Sequence, residues 1–258
     1  MSVSNLFKEN KKDILNIFYT AGYPKLDNTV TIAQSLDKAG VKLIELGMPY
    51  SDPLADGTTI QLSSEIALKN GMNLDILFSQ ASEIHDKTDL TVVLMGYLNQ
   101  LLTIGVPEFL EKCVAAGVSG LIIPDLPMEI YEEQYKSLFE EKGIEISFLI
   151  TPRTSDARIR LADKLSTGFI YLVADNSITG GASGKFTDAQ IAYFERIKNM
   201  DLESPVLIGF GIKTAEQFQQ TKSFANGAII GSEFIRQLDS VENDLYNQIS
   251  CFINEITV

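Results

Sequence analysis

Two carboxylic acids, Glu45 and Asp56, stand close together in the sequence, in settings that suit proton transfer. Glu45 lies inside the apolar run 41–47, on the same side of a predicted strand as Val41 and Leu43. If that side faces an apolar interior, burial disfavours the ionised carboxylate and raises its pKa toward the range useful for acid–base catalysis. The alternative is a structural carboxylate that forms a salt bridge with a neighbouring strand.

Asp56 follows in the segment LADGTTIQ, at the far end of the loop that leaves the same predicted strand. Asp-Gly is a common turn dipeptide, so Asp56 could instead close a turn or cap the next helix. Together with Glu45, however, it makes a pair of carboxylates, one on a rigid strand and one on a loop. Such a pair is typical of an acid–base site that is completed when a loop closes over substrate.

Glycine-containing segments near the C-terminus predict a site for a phosphate group. The strings GFG and GSEF follow the seventh and eighth predicted strands, and the second string opens a helix. Backbone N–H groups at such a helix start bind phosphate, and the hydroxyl of Ser232 can add a hydrogen bond. Gly211 and Gly231 allow the backbone to approach the ligand closely. Thr179 and Gly180, in the loop after the sixth predicted strand, could fold over the same group.

Three aromatic residues lie toward the C-terminal ends of predicted strands one, six and seven: Phe18, Tyr171 and Phe210. At that end of the strands they could form the walls of a pocket for a flat aromatic substrate. Aromatic residues in strands also serve simply as core, and the residues alone leave both interpretations open.

Eight short apolar runs recur along the chain, each followed by a longer amphipathic segment. They are ILNIFYT (14–20), VKLIELG (41–47), TVVLMGY (91–97), SGLIIPD (119–125), EISFLIT (145–151), GFIYLVA (168–174), SPVLIGF (204–210) and NGAIIGS (226–232). Nearly continuous hydrophobicity is typical of parallel strands that are covered on both faces. Eight such units without a linker favour one α/β domain over residues 1–258, a (β/α)8 barrel with extra helices, rather than a doubly wound sheet. The loops after barrel strands form the catalytic face.

Composition and charge exclude several classes of function. The 258 residues are 45% hydrophobic and 21% charged, as in ordinary globular proteins. A formal net charge of −13 argues against nucleic acid and anionic membrane surfaces as partners. One histidine and two cysteines predict no metal site, and we expect both thiols to be reduced core residues. Since the sequence lacks a signal-peptide pattern and a membrane-spanning apolar stretch, we expect a cytoplasmic protein.

Five segments carry more specific motifs. They are FYTAGYP (18–24), IELGMPYSDPLADGTTIQ (44–61), GLIIPDLP (120–127), IGFGI (208–212) and GSEF (231–234). In order and spacing they resemble the tryptophan synthase alpha chain family, and the match spans essentially the whole chain, with SDPLADG the most specific string. The resemblance implies a (β/α)8 barrel that cleaves indole-3-glycerol phosphate to indole and glyceraldehyde 3-phosphate in a retro-aldol reaction.

The resemblance also assigns roles to residues. Glu45 matches the family's catalytic glutamate, which would protonate the indole ring carbon and take the proton of the adjacent glycerol hydroxyl. Asp56 matches the catalytic aspartate, which would accept a hydrogen bond from the ring N–H and stabilise the positive charge that develops there. The remaining matches are Gly180, Gly211, Gly231 and Ser232 at the phosphate and Phe18, Tyr171 and Phe210 in the substrate pocket.

A partner is implied in the same way. Alpha chains of this family work with a β chain that carries pyridoxal phosphate, in an α2β2 assembly with an internal indole tunnel, so no cofactor is expected in this chain. The loop with Pro53 and Leu54 and the loop at Asn99 would meet the β chain. One segment departs from the family, since Asp175 replaces a basic residue and Ser177 a glycine after the sixth predicted strand. An acidic side chain that faced the phosphate would weaken its binding or alter closure of this loop.

Two other functions fit parts of the pattern. Another phosphate-binding barrel, such as an isomerase or indole-glycerol-phosphate synthase, would explain the glycine segments but not SDPLADG. A non-catalytic subunit that mainly activates the β chain would account for the altered loop after strand six but not for an intact Glu45 and Asp56. Cleavage of indole-3-glycerol phosphate is therefore the expected activity.

Overall fold

Nine parallel strands form the centre of the protein in a computed structural model that describes residues 2–174, 185–209, 211–239 and 244–257. The strands are β1 (Ile14–Thr20), β2 (Leu43–Gly47), β3 (Thr91–Met95), β4 (Gly120–Ile122), β5 (Glu145–Ile146), β6 (Leu149–Ile150), β7 (Ile170–Val173), β8 (Val206–Gly209) and β9 (Gly227–Ile230). Neighbouring strands follow the order β5-β4-β3-β2-β1-β9-β8-β7-β6. Each of the eight predicted apolar runs contains strand residues.

The two strands at the ends of this order, β5 and β6, are separated only by Ser147 and Phe148, so the sheet closes on itself. The Ser147 N–H donates to the Leu121 carbonyl oxygen on one side of this join (3.1 Å), and the Tyr171 N–H donates to the Phe148 carbonyl oxygen on the other (2.9 Å). β5 and β6 are therefore two halves of the fifth predicted strand. The (β/α)8 barrel is confirmed, with its fifth strand interrupted.

Helices connect the strands and surround the barrel. Within the described residues they are α1 (Val3–Glu9), α2 (Asn28–Lys38), α3 (Thr58–Lys69), α4 (Leu74–Lys87), α5 (Leu98–Ile104), α6 (Val106–Ala115), α7 (Met128–Ile130), a π-helical turn (Tyr131–Tyr135), α8 (Lys136–Lys142), α9 (Asp156–Leu165), α10 (Asp188–Lys198), α11 (Ala215–Thr221), α12 (Ser232–Asp239) and α13 (Leu245–Thr257). Two of them, α3 and α4, fill the long connection from β2 to β3, as the sequence predicts. None of the described helices is both long and apolar enough to cross a membrane.

The first helix, α1, closes the N-terminal end of the barrel. Its side chains Val3, Leu6 and Phe7 are buried. The Glu145 carboxylate, at the start of β5, accepts hydrogen bonds from the N–H groups of Val3 (2.6 Å) and Ser4 (3.1 Å). A carboxylate in this position also interacts favourably with the helix dipole. α1 thus covers the barrel interior at this end, opposite the loops at the C-terminal ends of the strands.

Glycines end several helices just before a strand. Gly40, Gly117 and Gly143 have φ angles of +90°, +70° and +68°, which glycine adopts without steric cost. The string FANG (224–227), at the end of an amphipathic segment, predicts the same role for Gly227, and that prediction is wrong. Gly227 is the first residue of β9, where a Cβ atom would collide with the backbone of Ile14 in β1. Its glycine permits the close approach of two strands.

The two cysteines have different environments. Cys113 on α6 is buried, as predicted, whereas Cys251 on α13 is exposed, so the expectation of two core thiols is wrong for the second one. The buried face of α13 is built from Ile249, Phe252, Ile253 and Ile256. Cys251 is out of phase with this 3.6-residue pattern and therefore faces outward.

Candidate active site

Glu45 lies in the middle of β2 and is completely buried. Its partners in register are Phe18 on β1 and Val93 on β3. The side-chain amide of Asn16, also on β1, donates from Nδ2 to Oε1 of Glu45 at 2.5 Å. The other oxygen, Oε2, has no hydrogen-bond partner among the described residues. The neighbouring strand thus offers Glu45 an amide rather than the cation that a structural salt bridge requires.

Burial raises the pKa of Glu45 to about 8, even though the hydrogen bond from Asn16 acts in the opposite direction. An isolated carboxylate is costly to bury, so the group takes up a proton instead. At neutral pH Glu45 is therefore a carboxylic acid with one oxygen held by an amide. Such a group can donate a proton and then take one back.

Asp56 lies on the loop between β2 and α3 and is held by a tyrosine. The hydroxyl of Tyr97 donates to Oδ2 of Asp56 at 2.9 Å and accepts a hydrogen bond from the N–H of Ala55 at 3.0 Å. The N-cap residue of α3 is Gly57, which has no side-chain capping hydrogen bond, so Asp56 does not cap the helix. Burial raises the pKa of Asp56 to about 6, while the Tyr97 hydrogen bond lowers it. Asp56 is accordingly mostly ionised at neutral pH.

Tyr97 is held rigidly at the start of α5, two residues after β3 ends. Its N–H donates to Oε1 of Gln100 (3.0 Å), and Nε2 of Gln100 donates to the Pro49 carbonyl oxygen (3.1 Å). Its ring stacks on Tyr50 with 5.1 Å between the centroids. Burial and the charge of Asp56 raise the pKa of Tyr97, so that it keeps its proton as a donor. Tyr97 is not among the residues predicted from the sequence, although a polar aromatic residue directly after a barrel strand is a usable signal.

A pocket at this end of the barrel brings most of the predicted site residues together. It encloses about 480 Å³ of empty space, part of it open to solvent. The predicted residues among its lining are Phe18, Asp56, Tyr171, Gly211, Gly231 and Ser232. Glu45 is not part of the lining, but it is the register partner of Phe18, which is. The charges of Glu45 and Asp56 both raise the pKa of the buried Tyr171. The two carboxyl groups and this ring are therefore close in space.

Small residues fix the rings that form the walls of the pocket. A Cβ atom on Gly47 would come within 2.6 Å of the Phe18 ring, and one on Gly231 would come within 3.2 Å of it. In the same way, a Cβ atom on Gly209 would collide with the Tyr171 ring. Each ring thus fits against a surface that only glycine leaves flat.

The predicted phosphate end of the pocket contains backbone donors and two cations. Gly211 has a φ of +83°, and Gly231 directly precedes α12, whose first residue is Ser232. Lys213 and Arg236 line the same pocket, although the sequence analysis did not select them. The glycine segments alone suffice to bind a phosphate, so the sequence pattern did not require these two cations.

Arg236 also connects two parts of the site. It donates to Oε2 of Glu233 on its own helix at 2.5 Å and to Oγ1 of Thr59 in α3 at 3.3 Å. Thr59 follows Asp56 by three residues, so this contact joins the start of the helix after the Asp56 loop to the helix at the phosphate end.

Several predicted residues lie outside the described residues. These are Phe210 of the aromatic pocket, Thr179 and Gly180 of the phosphate lid, and Asp175 and Ser177 of the altered loop. Among the residues that are described, no group of three or more histidine, cysteine, aspartate or glutamate side chains could hold a metal ion.

Comparison with known proteins agrees with this geometry. The family model described as tryptophan synthase alpha chain matches residues 4–256. The chain belongs to the tryptophan synthase alpha chain family. Alpha chains from Flavobacterium johnsoniae and Flavobacterium psychrophilum are 49% and 50% identical to it over 254 residues, which cover 98% of this chain and 98% of each relative.

Solved structures lead to the same family. Tryptophan synthase from M. tuberculosis, in an aminoacrylate-bound form, matches with a TM-score of 0.85 and 27% identity over 99% of this chain and 96% of that one. The tryptophan synthase complex from Pyrococcus furiosus matches with a TM-score of 0.85 and 31% identity over 95% and 98%. As a tryptophan synthase alpha chain, the protein is a lyase that cleaves indole-3-glycerol phosphate in tryptophan biosynthesis.

Proposed function

We propose that the pocket above α12 is where this tryptophan synthase alpha chain cleaves its substrate, with Glu45 and Asp56 as its two catalytic groups. The observation that carries this proposal is the pair of carboxyl groups on one strand–loop unit, Glu45 buried and Asp56 half-buried, with pKa values of about 8 and about 6. Near pH 7 one is an acid and the other a carboxylate. Two carboxyl groups held in different protonation states are typical of an acid–base site.

The chemistry requires both states. Glu45 gives its proton to the indole ring carbon that bears the glycerol chain, which leaves a positive charge on the ring nitrogen. The carboxylate of Glu45 then removes the proton of the adjacent hydroxyl, and the carbon–carbon bond breaks as its electron pair returns to the ring. The products are indole and the aldehyde, and Glu45 is again protonated. Asp56 accepts a hydrogen bond from the ring N–H and stabilises the positive charge.

The rest of the pocket orients the substrate. Phe18 and Tyr171 contact the indole ring, and Phe210 is proposed to complete this wall. Gly211, Gly231 and Ser232 bind the phosphate through backbone N–H groups and one hydroxyl, because a helix start favours an anion. Thr179 and Gly180 close over the phosphate.

The second part of the proposal is the partner. Leucine side chains are exposed on the loop after β2, on α3 and on α5: Leu54 is 91% exposed, Leu62 59% and Leu102 52%. Tyr50, Pro53 and Leu62 line a groove there. Apolar surface of this kind marks a protein interface. We assign it to a β chain that carries the pyridoxal phosphate and receives indole through a tunnel, in an α2β2 complex in the cytoplasm. The solved complex from Pyrococcus furiosus supports this assignment.

The test is indole release from indole-3-glycerol phosphate by the purified chain, with and without a cognate β chain. We expect weak activity that rises strongly with the β chain. We expect none in Glu45→Gln, which preserves the shape of the side chain but has no acidic proton. Substrate binding to Glu45→Gln, measured by calorimetry, should be nearly unchanged. High activity without the β chain would indicate a free-standing indole lyase. No activity with or without the β chain would indicate a regulatory subunit. Full activity of Glu45→Gln would overturn the catalytic assignment.

A further inference from the structure

A buried amide lies against the catalytic carboxyl group, and the roles given above do not account for it. Asn16 is completely buried in β1, with apolar residues on both sides of it in the sequence. A buried amide is costly unless it is hydrogen-bonded. Its Nδ2 donates to Oε1 of Glu45 at 2.5 Å, and Oδ1 of Asn16 has no partner among the described residues. The contact with Glu45 is thus what Asn16 contributes at this position.

We propose that Asn16 is a positioning residue for proton transfer, which holds Oε1 of Glu45 and leaves Oε2 as the oxygen that exchanges protons with the substrate. This inference rests on the proposed function of Glu45. An amide N–H can donate but cannot accept a hydrogen bond, so Oε1 is an acceptor whether or not Glu45 is protonated. The proton of the acid form is therefore on Oε2, which has no partner among the described residues.

The same contact serves both halves of the reaction. When Oε2 gives its proton to the ring carbon, Glu45 becomes a carboxylate and the hydrogen bond from Asn16 becomes charge-assisted and stronger. The carbon–carbon bond then breaks, its electron pair returns to the ring, and the hydroxyl proton passes to Oε2. One proton has moved from the hydroxyl to the ring carbon, and the acid is restored. Asn16 stabilises the charged form that exists between these two transfers.

The other described groups around Glu45 do not stabilise its charged form, so this role belongs to Asn16. Among the described residues, the titratable side chain whose pKa the charge of Glu45 raises is Tyr171 on β7, and the charge of Asp56 acts on the same tyrosine; neither Tyr171 nor Asp56 supplies a positive charge. The nearest side chains on β1 and β3 do not titrate: Phe18, Thr91 and Val93. The hydrogen bond from Asn16 lowers the pKa of Glu45 against the effect of burial, so its loss raises that pKa further.

The decisive variant is Asn16→Leu, which keeps a similar volume and removes the donor. We expect kcat at pH 7 to fall roughly tenfold to a hundredfold, the range for loss of a hydrogen bond to a charged group. KM for indole-3-glycerol phosphate should stay within about twofold, and the alkaline limb of the kcat/KM profile should move about one pH unit higher. Thr91→Val is the matched control, because the Thr91 hydroxyl is buried without a partner and is in the same layer of the barrel. This control should leave both the pH profile and kcat unchanged.

The outcomes separate this inference from the proposed function. If Asn16→Leu has the wild-type kcat and pH profile while Glu45→Gln is inactive, Asn16 has no such role and the inference is overturned. If Glu45→Gln is active, the proposed function itself fails. Should circular dichroism show that Asn16→Leu does not fold, Asn16→Val makes the same test with a residue suited to strands.

Infrared spectroscopy tests the hydrogen bond from Asn16 to Glu45 in a protein whose Asn16 is unchanged. The infrared difference between wild type and Glu45→Gln isolates the C=O stretch of protonated Glu45. We expect the lowered frequency of a carbonyl oxygen that accepts a hydrogen bond. A band at the frequency of a carbonyl without a donor overturns the inference, whatever the variants do.

Discussion

Replacement of Tyr97 by phenylalanine removes one hydroxyl group from the site and leaves the ring in place. That hydroxyl donates to Oδ2 of Asp56 at 2.9 Å and accepts from the Ala55 N–H at 3.0 Å. The stack of the ring on Tyr50 is kept. The variant therefore tests the hydrogen bonds of this hydroxyl, one of them to the proposed catalytic Asp56, and not the packing around it.

The size of the effect follows from the pKa of Asp56. A hydrogen bond to a charged group contributes about 1.5–3 kcal/mol, and about 1.4 kcal/mol corresponds to one pH unit of pKa. Its loss should raise the pKa of Asp56 from about 6 to about 7–8. The proposed mechanism requires an ionised Asp56 and a protonated Glu45, so the fraction of active enzyme at pH 7 falls. We expect kcat/KM at that pH to fall roughly twofold to tenfold.

The assay is the pH dependence of kcat/KM for indole release. A carboxylate that must be ionised sets the acid limb of the profile, so a higher pKa of Asp56 moves that limb to higher pH and narrows the bell. Tyr193→Phe is the control, since it also removes a buried tyrosine hydroxyl, one without a hydrogen-bond partner among the described residues. An acid limb that stays in place in Tyr97→Phe would refute the claim that Tyr97 tunes Asp56.

Three more predictions concern stability, phosphate binding and the partner. Folding raises the pKa of Glu45 from 4.5 to about 8, so the folded state holds the extra proton between these values and wild type loses stability as pH rises through them. Glu45→Gln should therefore melt above wild type at pH 9 and approach it at pH 5; a difference independent of pH in calorimetry would contradict this. Arg236→Gln should raise KM for indole-3-glycerol phosphate several-fold and weaken the salt dependence of KM. Arg160→Gln, at the opposite end of the barrel, should leave KM unchanged. The same KM in wild type and Arg236→Gln would exclude a role for Arg236. Leu62→Lys should reduce the activation of this chain by the β chain. Val114→Lys, which changes another exposed apolar side chain, should leave that activation unchanged. Unchanged activation in both variants would place the interface elsewhere.

The sequence predicts the barrel well because of how its strands are covered. Strands buried on both faces are apolar throughout, and each of the eight runs contains strand residues. The break in the fifth strand could not be predicted, because EISFLIT is as continuous as the other runs. At the break the hydroxyl of Ser147 accepts a hydrogen bond from the Phe169 N–H at 3.0 Å, a contact between segments 22 residues apart. That the whole chain forms one domain stays a prediction.

The candidate site was predicted residue by residue, but its supporting contacts were not. Glu45 and Asp56 could be selected because a carboxyl group within or just after an apolar strand is unusual in itself. Asn16 is 29 residues from Glu45, and Tyr97 is 41 residues from Asp56. Their pairing depends on strand register and loop path, which no local pattern encodes. For Asn16 a signal was present, because an amide inside an apolar strand needs a hydrogen-bond partner.

Charge explains how so acidic a chain can take a phosphorylated substrate. A fully ionised Glu45 and Asp56 would repel a phosphate dianion in a pocket with little water to screen them. Burial removes one of these two charges, since a Glu45 with a pKa of about 8 is neutral at pH 7. The remaining negative charges of the pocket are Asp56, which is held by Tyr97, and Glu233, which pairs with Arg236, while Lys213 and the start of α12 supply positive potential. The burial that makes Glu45 an acid therefore also lets the phosphate bind, and a change that ionises Glu45 should weaken both catalysis and substrate affinity.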